Sequence, residues 1–397
     1  MRLVNPPSGN RLHIGIFGKR NSGKSSLLNA ITGQEIALVS EVKGTTTDPV
    51  SKAMEIHPIG PCLLIDTAGF DDTGDLGNMR IEKTKAVLDK TDVAVVVFSD
   101  MQMELETQWI AMLRQRKIPI LAVVNQVDRI EQVQEIKRQI EQRFSLTPLL
   151  VSAKEKTGIS QMKHEILRLM PPDFEAQSLT GSLVQPEDVV LLVMPQDKQA
   201  PKGRLILPQV QTIRDLLDNH CVVMCVTTEQ LSTALQALAK PPKLIITDSQ
   251  AFAQVYPLKP AETLLTSFSI LLAAYKGDLS AFVKGANALD SLTDDSHVLI
   301  AEACTHAPLQ EDIGRVKIPN MLRKKYGEHL QVTVVSGSQF PKDLSEYQLI
   351  IHCGACMFNR KHVLTRVEQA EQQGVPITNY GVVLAKLTGI LDRISMQ

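Results

Sequence analysis

Three observations predict an α/β fold in three domains for this chain of 397 residues. Short apolar runs alternate with polar stretches of helical length. A glycine-rich loop joins the first apolar run to the first helical stretch. A Pro171-Pro172 pair interrupts the alternation before it resumes. In the first domain, residues 1–172, strands are expected at 12–17, 62–66, 93–98 and 120–125, and a helix at 26–32. Continuous apolar runs of this kind suit a parallel sheet covered on both faces. The polar stretch to Gln185 reads as a linker. A second domain, 183–262, carries strands at 189–194, 222–226 and 244–247, with helices near 208–219 and 228–238. The third, 263–397, opens with helical patterns over 263–292 and continues with strands at 297–301, 332–335 and 347–351.

Composition narrows the function. With 42 basic and 43 acidic residues the chain has no electrostatic footprint for nucleic acid or an anionic membrane, so neither is expected as a partner. No apolar run reaches the length needed to span a bilayer, and the first residues lack the apolar core of a signal peptide, which predicts a cytoplasmic protein. In that reducing compartment the six cysteines are not expected to form disulfides, so their spacing carries the information.

Residues 18–25 read Gly-Lys-Arg-Asn-Ser-Gly-Lys-Ser, a complete P-loop. Such a loop curls successive N–H groups around an anion, the following helix N-terminus adds positive partial charge, and Lys24 reaches the outer phosphates. A nucleoside triphosphate is the expected ligand. Gly18, Ser22, Gly23 and Ser26 complete the cradle, and Ser25 is placed to hold magnesium. Asp66-Thr-Ala-Gly69 supplies a second phosphate-side motif, with Asp66 for the magnesium shell and the Gly69 amide for the γ-phosphate. Asn125-Gln-Val-Asp128 selects guanine, because the Asp128 carboxylate can accept from both N1 and N2 of that base. Ser152-Ala153-Lys154 matches a loop that meets guanine O6 through backbone N–H.

The ordered set resembles the TRAFAC class of GTPases. Asn21 in the loop and Gly44-Thr-Thr-Thr-Asp48 further resemble the potassium-activated GTPases related to the tRNA-modification enzyme. That resemblance implies that Asn21 helps hold K+ and that Thr46 is a switch I ligand of Mg2+. Lys24, Asn21, Thr46, Asp66 and Gly69 then form the hydrolytic set. Phe70 stands where Ras-like enzymes place a water-orienting Gln, which predicts slow hydrolysis. Gln126 replaces the usual lysine that covers the base, which predicts weaker GTP binding. Thr47 replaces the arginine of the switch motif and leaves its contacts open.

The third domain contains Cys304-Thr-His306 and His352-Cys353-Gly-Ala-Cys356. Each cluster falls just beyond a predicted strand. If those strands are parallel neighbours, their carboxyl ends lie side by side, where open α/β sheets build sites. Three thiolates with one or two histidines suit tetrahedral zinc and equally a 4Fe-4S cluster. Cys62, Cys221 and Cys225 lie in or beside apolar strands and read as core packing. The histidines outside the two clusters are scattered and receive no functional reading.

A GTPase joined to a CxH…HCxxC domain resembles the HydF family of FeFe-hydrogenase maturation GTPases over the whole chain. The resemblance implies a GTPase domain, a middle dimerization domain and an iron-sulfur cluster-binding domain. Cys304, Cys353 and Cys356 would be the cluster thiolates, with His352, His306, a nearby acid such as Glu302 or an exogenous ligand as candidates for the fourth position. It further implies a scaffold that receives a di-iron precursor built with two radical S-adenosylmethionine maturases and passes it to apo FeFe-hydrogenase. A zinc-stabilised regulatory GTPase or a tRNA-modification-type GTPase is the alternative.

Overall fold

The computed structural model describes residues 8–33, 50–67, 86–172, 174, 178–195, 205–303, 312–337 and 339–396. Contacts divide the chain into two compact units, Met1–Ala176 and Gln177–Gln397.

The amino-terminal unit is built on a six-stranded sheet. Its strands are β1 (Leu12–Gly18), β2 (Val50–Ile56), β3 (Gly60–Asp66), β4 (Val93–Phe98), β5 (Ile120–Val124) and β6 (Leu149–Leu150). They lie in the order β2-β3-β1-β4-β5-β6, with only β2–β3 antiparallel. Every residue of β1 and β4 is buried, as the apolar runs require of central parallel strands. The described helices are α1 (Lys24–Thr32), α2 (Glu104–Gln115), α3 (Val133–Phe144) and α4 (Ile159–Leu169). Helix α3 shows why they form where they do: Ile136, Ile140 and Phe144, four apart, make one buried stripe, and Ser145 in the left-handed region ends the helix. Edge strand β2 was not among the expected strands, because its alternating Val-Ser-Lys-Ala-Met-Glu-Ile pattern is half polar.

The second unit holds two parallel four-stranded sheets. The first contains β7 (Val189–Val193), β8 (Val222–Val226), β9 (Leu244–Thr247) and β10 (Leu264–Ser267), ordered β10-β9-β7-β8. Helices α5 (Leu207–Asp218), α6 (Leu231–Ala237) and α7 (Phe252–Val255) connect them. Strand β10 corrects the expectation of a helix from residue 263 and of a domain boundary after 262. Leu264-Leu-Thr-Ser267 pairs with Leu244–Thr247 and closes the second sheet, and only then does α8 (Phe268–Lys276) begin, capped by the Ser267 hydroxyl accepting from the Ile270 amide.

The remaining sheet contains β11 (His297–Glu302), β12 (Gln331–Ser336), β13 (Leu349–His352) and β14 (Ile377–Asn379), ordered β12-β11-β13-β14. With it go α9 (Leu279–Ala286), α10 (Ile318–Tyr326), α11 (Arg360–Gln372) and α12 (Tyr380–Leu387). One continuous apolar core runs from Leu191 and Ile245 of the second sheet to Ile300 and Ile350 of the third, while Leu192 and Ile246 of the second sheet belong to a further cluster with Leu216 and Leu271.

Cys62 and Cys221 are buried as expected, and burial pushes the Cys62 thiol up to about 12. Cys225 is a correction, for it is exposed. It lies on β8, an edge strand that is partly uncovered, whereas the buried Cys221 precedes that strand.

Candidate functional site

The nucleotide site grows from the end of β1. Gly23 adopts φ 83° and caps α1; a Cβ there would lie 2.4 Å from Asn125 Nδ2, so both conformation and space require glycine. A Cβ on Gly18 would meet the Val97 carbonyl oxygen at 2.8 Å. Lys24 is buried and folds its ammonium into the loop, donating to the carbonyls of Gly18 (2.8 Å) and Lys19 (2.7 Å).

Asn125, fully buried at the end of β5, ties the motifs together. Its Nδ2 donates to the carbonyls of Ser22 (3.0 Å) and Gly23 (3.4 Å), while its Oδ1 accepts from the Ala153 amide at 3.2 Å. Gln126 takes a left-handed backbone and donates from Nε2 to the Asn21 carbonyl at 2.9 Å. The residue that departs from the usual motif thus braces the P-loop, a role the sequence reading missed. Asp128 accepts from the Ser152 hydroxyl at 2.6 Å, and that bond, ahead of the other contributions, holds its carboxyl below the usual range. Its side chain is 17% exposed and anionic, the state needed to accept two guanine protons.

Asp66 ends β3. Burial pushes its pKa up, while Lys24 and a hydrogen bond with Ser25 counter the rise. Its buried Oδ1 has no hydrogen-bond partner. An orphaned carboxylate oxygen beside a serine hydroxyl fits Mg2+, which is bound by hard oxygen ligands. Asp66 and Ser25 are the residues to hold it. Thr46, Thr47, Gly69 and Phe70 lie outside the described residues.

The second site sits on the third sheet. Strands β11 and β13 are parallel neighbours with Ala301 opposite His352. Chain order reverses there, since β12 lies on one side of β11 and β13 on the other, making this a topological switch point. The Cys353 amide donates to the Ala301 carbonyl at 3.0 Å, and Cys353 Sγ accepts from the amides of Ala303 (3.0 Å) and Ala355 (3.4 Å). Ala355 is held at φ 51°, which turns the chain between the two thiols. Burial is the main cause pushing the Cys353 thiol up to about 11, partly countered by the two amides. Cys304 and His306 lie outside the described residues. Among the described residues no three metal-ligating side chains gather. The two amides lower the cost of a thiolate at Cys353 without abolishing it, so the sulfur fits a metal ligand only where the ion itself supplies the remaining stabilisation of the anion.

His352 was a candidate for the fourth position, and the structure gives it other work. It is 1% exposed, its Nδ1–H donates to the Cys353 carbonyl at 2.8 Å, and its Nε2 accepts from Arg366 Nη1 at 3.0 Å. Burial first, and then the guanidinium, push its pKa down to about 3. Neither nitrogen keeps a lone pair for metal. Glu302, buried at the end of β11, accepts from Arg315 Nη2 (2.9 Å) and Ser336 (3.2 Å) through Oε2. Lys276, at the end of α8, was missed altogether. It is 1% exposed and donates to the carbonyls of Ala355 (3.4 Å), Cys356 (3.0 Å) and Phe358 (2.8 Å). Burial pulls its pKa down to about 8, against the pull of Cys356 and Cys353.

The P-loop on β1, the Asn125 and Asp128 loop and the Ser152 turn define the amino-terminal domain as a P-loop GTPase domain, followed here by two further α/β domains. Residues 13–126 match the family described as 50S ribosome-binding GTPase. Residues 179–277 match the Hydrogen maturase F dimerization domain, and residues 280–396 the Hydrogen maturase F tetramerization domain. The chain belongs to the hydrogen maturase F family.

GTPase Der of Wolinella succinogenes is 33% identical over 172 residues, covering 40% of this chain and 36% of that protein. The tRNA modification GTPase MnmE of Bordetella petrii is 38% identical over 162 residues, covering 40% and 33%. The chain thus spans about a third of the length of these curated relatives. A solved structure of a probable GTP-binding protein, engB, shares 22% identity, with 40% of this chain and 97% of that one covered and a TM-score of 0.33. No helix among the described residues is long and apolar enough to cross a membrane.

Proposed function

We propose that this protein hydrolyses GTP with Mg2+ and K+, and that it carries a 4Fe-4S cluster on which a di-iron precursor is held for delivery to apo FeFe-hydrogenase. Family membership supports GTP turnover and a role in hydrogenase maturation. The observation that carries the cluster reading is the hydrogen bond from the Ala303 amide to Cys353 Sγ. The peptide that follows Ala303 leads to Cys304, so the two halves of the cysteine motif start from one point. The cluster would be held by Cys304, Cys353 and Cys356 and supply an iron with an exchangeable position, and His306 remains a candidate for it. Weak ligation at that position permits release of a second metal fragment.

The radical S-adenosylmethionine maturases are the proposed source of the precursor, and the cytoplasm the proposed compartment. Cys62, Cys221, Cys225 and Cys353 are free thiols, in keeping with reducing surroundings. Self-association through the middle domain is supported by Leu205, Val210, Leu217 and Val222, all 45–57% exposed around α5 and edge strand β8. K+ binding rests on Asn21, whose backbone lies at φ 62° in the P-loop. Residues 36–47 and 68–78, the expected switch segments, lie outside the described residues, and their response to the γ-phosphate is the proposed route by which GTP alters partner docking.

Anaerobic reconstitution with iron and sulfide tests the proposal. A broad thiolate-to-iron charge-transfer band, lost in Cys353→Ser, is expected. Stoichiometric zinc with no such band would replace the carrier by a zinc-stabilised GTPase.

A further inference from the structure

We infer that Lys276 and Arg360 form a reciprocal cationic clamp that positions the Cys353–Cys356 turn on α8, so that the helix following the second sheet sets the geometry of the thiols. The inference rests on the cluster reading above for its functional meaning, and on geometry for its existence.

Each segment places a cation on the other's carbonyls. From the end of α8, the three N–H bonds of the buried Lys276 ammonium meet the carbonyls of Ala355, Cys356 and Phe358 at 2.8–3.4 Å. In return Arg360, the first residue of α11, directs Nη1 at the carbonyls of Ala274 (3.4 Å), Tyr275 (3.0 Å) and Gly277 (2.9 Å). Those carbonyls lie at the end of α8, where the helix leaves acceptors unsatisfied and its dipole favours a cation.

Packing runs the same way. A Cβ on Gly354 would lie 3.8 Å from Leu272 Cδ1 and 4.0 Å from Ser269 Cβ, and Cys356 packs on the core cluster that contains Leu271 and Leu272. The turn needs such a restraint, because Ala355 sits at φ 51°, a conformation that alanine does not favour by itself. A side chain chosen only to fill the space under the turn would be apolar. A buried ammonium matched to three carbonyls both fixes the backbone between the thiols and puts positive charge beside them.

Lys276 is therefore a positioning residue, and its loss reads out in two ways. In metal-free Lys276→Met, amide exchange of residues 353–358 followed by mass spectrometry is expected to quicken at least threefold, with Lys276→Arg restoring part of the protection. In Arg360→Met the last turn of α8, residues 273–277, is expected to exchange at least threefold faster. After reconstitution, Lys276→Met is expected to shift the cluster tenfold toward its oxidised form, a midpoint about 59 mV lower for one electron, while Lys276→Arg stays near the unsubstituted protein. Exchange changed by less than threefold, or a midpoint unmoved in Lys276→Met, overturns the clamp. If the unsubstituted protein takes up no cluster, the carrier reading falls and the exchange arm alone still decides the clamp. If Lys276→Met does not fold, Arg360→Met decides it through both peptides.

Discussion

Replacing His352 with glutamine should remove an acid-sensitive component of the third sheet's stability. The folded imidazole is neutral, with a pKa near 3, whereas an unfolded histidine titrates near 6.5. The unfolded chain therefore takes up the proton first as pH falls. The stability from neutral His352 is fully present above about 6.5 and is lost progressively as pH drops toward 3. Between pH 7 and pH 5 those two values make the loss about 2 kcal/mol. Glutamine can accept from Arg366 and donate to the Cys353 carbonyl without titrating, so His352→Gln should escape this loss.

The lone tryptophan, Trp109, lies in the amino-terminal unit, and its fluorescence is the wrong probe. Native-state amide exchange of residues 349–353 in metal-free protein, converted to opening free energies at the two pH values, reads the right sheet. Equal losses in the two proteins, within about 0.5 kcal/mol, would refute the assigned hydrogen bonds.

Three further outcomes are expected. Lys24→Ala should abolish GTP turnover yet leave iron uptake intact, since the residues of the two sites lie in separate units; loss of iron uptake as well would contradict that division. Asp128→Asn should move preference from guanosine to xanthosine nucleotides, as measured by competition binding, and an unaltered preference would sink the base contact assigned to it. Gly23→Ala forces a β-carbon into the left-handed region, at roughly 1–2 kcal/mol, and against Asn125 Nδ2. Titration with a fluorescent guanine nucleotide should show affinity at least about tenfold weaker, about 1.4 kcal/mol, and a wild-type value would argue against the tight approach of loop and Asn125.

Most of the nucleotide site was legible because its chemistry is local. The residues between Gly18 and Ser25 must be close in space when they are close in sequence, and Asp66 ends, and Asn125 directly follows, a strand that apolar runs announce. Contacts between distant segments were not legible. Gln126 bracing the Asn21 carbonyl, and Lys276 reaching across to the turn at Cys353, connect residues whose proximity depends on strand order. A misread element shows the same limit: Leu264–Ser267 carries an apolar pair that suits a helix or a strand, and the open edge of β9 decided for a strand.

By itself, the order of residues determined the ligand class of the first domain, the α/β rhythm and the cysteine pattern, because backbone curvature, periodicity and donor type are properties of short segments. Only the tertiary structure decided that β11 and β13 are neighbours, that His352 turns inward to Arg366 and Cys353, and that α8 underlies the thiol turn. Those outcomes follow from burial. Once packing removes water, each polar group must find a partner among whatever the fold brings near it.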